Sequence, residues 1–431
     1  MNIVKKLDYK KHIEDIFQDT LSYIVYKNNP ELLKTLVPNF IGETPFQYAQ
    51  FSSAEVDNYK YKIEKALAFM YECVEAFIEK DDLDLYKKMG FDNPQLIELI
   101  KLSWQAAQVK GLPEELVYGI YGNFDFVPDK EGGIKIYEYN GNTPVLTFES
   151  IVLQNCFIED NGFASTSQYN NLSEVWQYMF KSVFKNHGVL NTVFAGCPEL
   201  LNDVLTLETM AYSAQASGHD TFIADIKEDI DFDFMEQVFY KKDDDRPIDF
   251  MVNFFPWEDY DTYALDAFIK NYKNLIENGK GTIVAEPAFK ILMSNKAFLS
   301  FMTDYDYDRM VECGFIPTYL DKTKLAGSKF IGKPVYGRMS SNIQFYENGV
   351  DMVNETEGAY SDTLFVYQPF IDMVKVNNDE DFYQYRMWVA PSEYEDGEFY
   401  FSSCGLAVRK STSALSMNVE TEEFIPHVIK D

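Results

Sequence analysis

The sequence predicts an α/β (α+β) protein with a helical N-terminal region, a central open α/β sheet and a strand-rich C-terminal lobe. Three observations carry this. Residues 54–80 place Ala66, Leu67, Phe69, Met70, Cys73, Val74 and Phe77 at helical spacing. From 190 onward, the β-rich runs VLNTVFAG, DTFIADI, IDFMVNFFP and GTIVAEP are interleaved with helical patterns at 202–217 and 261–277. Such alternation is what an open α/β sheet requires. From 328 the chain becomes β-rich, with turn signals at Glu347-Asn348-Gly349 and Glu393–Gly397.

In chain order, residues 1–50 read as a mostly helical approach segment ending in a Pro/Phe-rich stretch. The long amphipathic helix of 54–80 follows, and a second helix at about 94–108 carries Leu96, Leu99, Ile100 and Trp104 on one face. Residues 121–149 then form a β-hairpin, followed by helical or loop structure through 188. Beyond the alternating region, Ser294-Asn295-Lys296-Ala297-Phe298 opens another helix, with Ser294 or Asn295 as its N-cap. The expected organisation is one multi-lobed unit: a helical region 1–110, a hairpin region 111–165, an α/β region 166–290 and a C-terminal lobe 291–431.

Composition excludes several classes. The net charge is −31, from 38 Lys and Arg against 69 Asp and Glu, so neither nucleic acid nor an anionic membrane is an expected partner. An acidic surface attracts cationic ligands, although it also simply keeps a protein soluble. Cys73, Cys156, Cys197, Cys313 and Cys404 are scattered and form no CxxC pair, which fits reduced thiols and a cytoplasmic location. The charged N-terminus shows no signal peptide, and no apolar run reaches transmembrane length. HExxH, G-x-S-x-G and the Walker A loop are absent. Positive charge is nearly all lysine. The arginines are Arg246, Arg309, Arg338, Arg386 and Arg409, three of them after residue 330. Arginine is the better fork for phosphate and carboxylate.

Chemistry concentrates in the hairpin. Asn123-Phe124-Asp125-Phe126 and Ile134-Lys135-Ile136-Tyr137-Glu138-Tyr139-Asn140 both alternate, on either side of a Pro128–Gly133 turn. Glu138 and Asn140 share a strand face. If Val127 pairs with Ile134, Asp125 sits opposite Ile136 and joins that face. Two carboxylates and an amide oxygen suit Mg²⁺; the plain alternative is an exposed polar strand face. A second constellation runs from Lys333 through Arg338 to Ser341-Asn342. A lysine, an arginine and a Ser-rich turn make an anion-binding concavity, to which Lys296 adds a point charge. The run LFVYQPFI offers a backbone edge to an adenine. Each cation taken singly is equally well a surface charge.

The run YEYNGNTP, preceded by GNFDF, resembles the YEYNADTP and GRFDF motifs of glutathionylspermidine synthase-like ligases. The likeness continues in EPAFKILMSNKAFLSFM, GKPVYGRMSSNIQFY, FVYQPFI and SALSMNVETEEFIPHVI, in the same order over roughly residues 45–431. The family's amidase domain has no counterpart. The resemblance implies an ATP-grasp synthetase whose C-terminal lobe binds nucleotide. It implies ATP and Mg²⁺, with two ions, as cofactors. It also implies an amide-forming reaction in which a carboxylate is phosphorylated and an amine then attacks. Carried over by position, Asp125, Glu138 and Asn140 hold Mg²⁺, and Lys296 and Lys333 hold ATP phosphates. Arg338, Met339 and Ser340 lie along the nucleotide, and Gln368, Pro369, Phe370 and Ile371 form the adenine-side strand. Arg409 resembles the family's arginine on the last hairpin, near the transferring phosphate or the substrate. Thr143 and Asp203 contact the acyl substrate.

Departures fall on the acyl side. The family arginine of GRFDF is Asn123 here, which brings no positive charge to a catalytic position. Val145 replaces a hydroxyl residue, and an acidic pair becomes Asn202 and Asp203. The expected function is therefore an ATP- and Mg²⁺-dependent ligase joining a small peptide or amino-acid carboxylate to an amine, possible amines including polyamines. The alternatives are a catalytically impaired nucleotide-binding relative, or a ligase that modifies a partner protein.

Overall fold

A capping box opens the first long helix. Ser52 Oγ accepts the Glu55 N–H, and the Glu55 carboxylate accepts the Ser52 N–H. Helix α1 (Ser53–Lys80) buries the predicted apolar stripe. The computed structural model describes residues 1–5, 47–243, 246–338, 340–348, 352–358, 360, 363–373, 381–393, 399–413 and 422–430. Most of the expected helical approach segment lies outside these. Its two described ends are strands, β1 (Asn2–Lys5) and β2 (Gln47–Phe51), paired antiparallel. Ala49 and Phe51 point inward with the period of two that a strand imposes.

Helix α2 (Leu83–Lys88) and α3 (Pro94–Ala106) follow, the latter started by Asn93 and by Pro94 at its first position. After α4 (Glu114–Val117) comes the hairpin, β3 (Gly122–Pro128) and β4 (Ile134–Asn140). Helices α5 (Gln154–Asp160) and α6 (Leu172–His187) lead into the alternating region. There β5 (Asn191–Gly196), β6 (Asp220–Asp225), β10 (Phe250–Asn253) and β11 (Ile283–Ala285) form the predicted parallel sheet, in the order β11-β10-β5-β6. Helices α7 (Leu201–Ala216) and α8 (Thr262–Asn278) are its connections. Between β6 and β10 the chain inserts a small antiparallel sheet, β7 (Ile230–Asp233), β8 (Val238–Lys241) and β9 (Arg246–Pro247), which the sequence pattern did not announce.

Helix α9 (Lys290–Ser294) ends where a helix was expected to open; α10 (Phe298–Tyr305) starts later, and Lys296 lies in the turn between them. Asn295 is the C-cap position of α9, and its Oδ1 accepts the Ala297 N–H at 2.7 Å; the N-cap of α10 is Ala297, without a side-chain cap, so neither Ser294 nor Asn295 caps that helix. Helix α11 (Tyr307–Glu312) precedes the strand-rich region. There β12 (Phe330–Pro334), β13 (Gln344–Tyr346), β14 (Met352–Glu355) and β15 (Phe365–Pro369) make a sheet in the order β14-β13-β12-β15. The long strands β16 (Phe382–Glu393) and β17 (Phe399–Ser411), with β18 (Glu422–Ile425), pair onto the hairpin in the order β18-β17-β16-β3-β4. Strand β19 (His427–Ile429) pairs with β2. The architecture is the mixed α/β class that the pattern predicts.

A buried ion pair fixes the approach to the hairpin. Glu286 and Lys290 pair with both side chains fully buried. Glu286 Oε1 accepts the N–H of Ile120 at 2.8 Å, and Lys290 Nζ donates to the Tyr121 carbonyl at 2.6 Å. Gly119, at φ +94, passes so close to the Glu286 carboxylate that any Cβ there would collide with it. Among the described residues no helix is long and apolar enough to cross a membrane.

Candidate active site

The hairpin register decides which side chains meet. The pairing expected from Val127 and Ile134 is not the one found: Val127 pairs with Lys135 and Phe126 with Ile136. A bulge follows, after which Asp125 pairs with Glu138 and Asn123 with Asn140. Without the bulge Asp125 would pair with Tyr137, and Glu138 would slip out of the row that Asp125 occupies. The extra residue brings Asp125 and Glu138 directly opposite each other, which is how bulges re-aim side chains near functional sites. The convergence of Asp125, Glu138 and Asn140 is thus present, reached by a different register.

Strand β16 completes the face. Arg386 pairs with Asp125, and Trp388 with Asn123. The Arg386 guanidinium grips Asp125 as a fork, Nε to Oδ1 at 2.8 Å and Nη2 to Oδ2 at 2.9 Å. Arg409, on β17, donates from Nη2 to Asp125 Oδ2 and to Gln384 Oε1, both at 2.8 Å. Burial alone would push the Asp125 carboxyl up, but the two guanidiniums outweigh it and hold it at about 2. Asn140 Nδ2 donates to Asn123 Oδ1 at 3.2 Å. Asn123 is fully buried, and its Nδ2 has no hydrogen-bond partner among the described residues.

The lysines arrive from the other side. Lys296 Nζ stands 3.3 Å from Glu138 Oε2 and donates to the Gly337 carbonyl at 2.8 Å. Burial raises Glu138, and Lys296 and Lys333 more than reverse it, leaving it below the usual carboxylate value. Lys333, on β12, lies over the Tyr137 ring at 5.1 Å. Burial lowers its ammonium to about 8, with Lys296 adding to the fall and Glu138 opposing it. Among the described residues the cluster therefore gathers four cations, Arg386, Arg409, Lys296 and Lys333, around two carboxylates, Asp125 and Glu138. This gathering of cations sits inside a chain whose net charge is −31.

The other expected residues are placed variously. Arg338 is turned away from this cluster: it pairs with Glu258 and donates to Tyr360 Oη at 3.2 Å. With Phe91, Asp92 and Tyr336 these line a cavity of about 360 Å³. Met339 lies outside the described residues. Ser340 adopts a left-handed backbone at φ +57. The Gln368 side chain is buried and donates to the Tyr137 carbonyl at 3.3 Å and to Thr318 Oγ1 at 2.9 Å, tying β15 to the bulge. Pro369 ends β15 and Phe370 follows it; Ile371 packs with Val127, Tyr137 and Ile316. Thr143 is half-buried in the loop after β4. Asp203, in the first turn of α7, is pushed up to about 7 by burial, with Arg338 opposing. Arg386 and Gln384 were not among the expected site residues. Their signal was available: in the strand FYQYRMWVAP they occupy alternate positions, which places two polar groups on one face of an otherwise apolar run.

Residues 39–430 match the family model described as glutathionylspermidine synthase preATP-grasp. The chain belongs to that family. It is also similar to a protein of Haemophilus influenzae named "Putative acid--amine ligase", 25% identical over 390 residues and covering 88% of each chain. A solved structure from Methylobacillus flagellatus, named "Putative gamma-glutamylcysteine synthetase", aligns over 80% of this chain and 86% of its own, at 9% identity and a TM-score of 0.38. The family and the named relative make the chain an acid–amine ligase homologue of the glutathionylspermidine synthase type.

Proposed function

We propose that the protein is an ATP- and Mg²⁺-dependent carboxylate–amine ligase working through an acyl phosphate. The observation that carries this reading is the gathering of four buried or half-buried cations around Asp125 and Glu138, two from the hairpin sheet and two from the β12 side. Such a gathering suits a polyphosphate. A carboxylate oxygen of the acyl substrate attacks the γ-phosphorus, the bond to the β-phosphate oxygen breaks and ADP leaves. The amine nitrogen then attacks the carbonyl carbon, inorganic phosphate departs with the C–O bond pair, and the nitrogen loses a proton to solvent. Lys296 and Lys333 hold the phosphates, Arg386 and Arg409 face the transferring group, and the apolar cluster of Val127, Tyr137, Ile316 and Ile371 receives the base.

The donor set fits Mg²⁺ conditionally. Asp125, Glu138 and Asn140 are hard-oxygen side chains on one face. Both Asp125 oxygens, however, accept from arginine, and Glu138 faces Lys296. No group of three or more His, Cys, Asp or Glu able to hold a metal occurs among the described residues. The charge balance therefore favours an ion that enters with the phosphates. When bound, Mg²⁺ neutralises phosphate charge. The acceptor is an amine, and the acidic surface favours a polyamine.

The test is ADP release from the full chain with ATP and Mg²⁺, across carboxylates paired with polyamines and amino acids. The Asp125→Ala/Glu138→Ala variant runs beside it. Turnover that needs one carboxylate and one amine, and vanishes in the variant, is the expected result. Nucleotide binding with no turnover on any pair supports the second reading, an impaired relative, which the uncharged Asn123 favours.

A further inference from the structure

We infer that Arg386, reaching in from β16, supplies the positive charge that position 123 lacks and holds the phosphorylated carboxylate of the reaction proposed above; this rests on the ligase reading. The first ground is position. Arg386 is only 5% exposed and pairs across β3 with Asp125. Its guanidinium lies 5.8 Å from the Trp388 ring, and Nη1 donates to the Val145 carbonyl at 2.9 Å. Trp388 is the residue opposite Asn123, and Val145 lies in the loop that leaves β4 beyond Asn140. The head group therefore leans along the sheet toward the row of Asn123 and Asn140.

The second ground is charge. Arg409 already donates to Asp125. Arg386 shares its carboxylate with a second guanidinium, so Asp125 does not neutralise it alone, and a buried charge that is incompletely matched draws a counter-charge. The third ground is donor capacity. A guanidinium carries five N–H donors in a fixed fork. Three are committed, two to Asp125 and one to Val145, so the fork is held rigidly while donors remain for a ligand. Beside it, the buried Asn123 Nδ2 offers a neutral N–H. An arginine clamped by its own carboxylate, next to an unspent amide, is a preorganised anion site.

The experiment compares wild type, Arg386→Met, Arg386→Lys and the double variant Arg386→Met/Asn123→Arg. It measures kcat and KM for ADP release, inorganic phosphate binding to the protein loaded with ADP and Mg²⁺ by calorimetry, and thermal melting. Arg386→Met should lower kcat by about 100-fold or more, as loss of one preorganised donor does, with KM for ATP within about threefold. The double variant should recover about tenfold or more of that loss, because the charge returns from β3. A role confined to fixing Asp125 would show as loss of melting temperature without selective loss of kcat. Arg386→Met retaining wild-type kcat, or a folded double variant with no recovery, overturns the inference. If Arg386→Met does not fold, Arg386→Lys decides: reduced kcat with folding kept supports it, unchanged kcat overturns it. If wild type turns over no substrate pair, the ligase reading fails, and phosphate binding alone decides. Weakened binding in Arg386→Met or Arg386→Lys then supports an anion-holding Arg386. Equal binding, or none in wild type, overturns it.

Discussion

Titrating MgATP into the protein at pH 8.5 should draw protons from the buffer, and Lys333 is the reason. Its ammonium is fully enclosed, and burial lowers it from 10.5 to about 8, with Glu138 opposing and Lys296 adding to the fall. At pH 8.5 such a group is only about one quarter charged. A phosphate beside it favours the charged form and pulls the pKa back toward its ordinary value. Binding should then take up about 0.7 proton at pH 8.5 and only about 0.1 at pH 7. The same shift weakens affinity about tenfold, or ~1.4 kcal/mol, between pH 7 and pH 9. Calorimetry in two buffers of different ionisation enthalpy reads the proton count directly. Arginine does not titrate in this range, so Lys333→Arg should bind with a flat pH profile and no uptake. Uptake near zero in wild type, or full uptake in Lys333→Arg, would refute the placing of Lys333 against phosphate.

Three further outcomes are expected. Asp125→Asn leaves two buried guanidiniums without their carboxylate and should cost about 3–5 kcal/mol in urea unfolding. Because the Asp125 pKa is lowered from 3.8 to about 2, its contribution of roughly 2 kcal/mol is present above pH ~4 and lost as pH falls through ~2, so this part of the acid sensitivity should be missing from Asp125→Asn. Lys290→Met leaves Glu286 buried without its partner and should cost about 3 kcal/mol or more, while the Glu286→Gln/Lys290→Met pair costs less than the sum of its singles, as denaturant midpoints will show. Gln368→Leu should cost about 1–2 kcal/mol and speed amide hydrogen exchange around Tyr137, since it removes the donors to the Tyr137 carbonyl and Thr318.

What was legible follows from the range of the forces involved. Helices α1 and α3 announced themselves because a helix must bury one stripe, and the stripe is written locally. The parallel strands were legible for the same reason, being short apolar runs buried on both faces. The β7–β8 insertion was not, because IDFD and VFYK are short and half polar. The bulge was hidden because IKIYEYN alternates without interruption; only the partner strand shows that Tyr137 is the extra residue. Arg386 could be assigned a face but not a neighbour. Its contact with Asp125 spans 261 residues, and periodicity says nothing about which strand lies alongside.

That long-range pairing explains how the two halves of the site stay in register. The bulge at Tyr137 sets Glu138 against Asp125, whose own pairing with β16 brings it to the arginines. The same Tyr137 accepts from Gln368 of β15 through its carbonyl and lies beneath the Lys333 ammonium of β12 through its ring. One residue thus fixes the carboxylates of the hairpin relative to the lysines of the lobe. The extra residue in β4 is a functional feature, because without it Glu138 would leave the register in which it lies opposite Asp125 and beside Lys296.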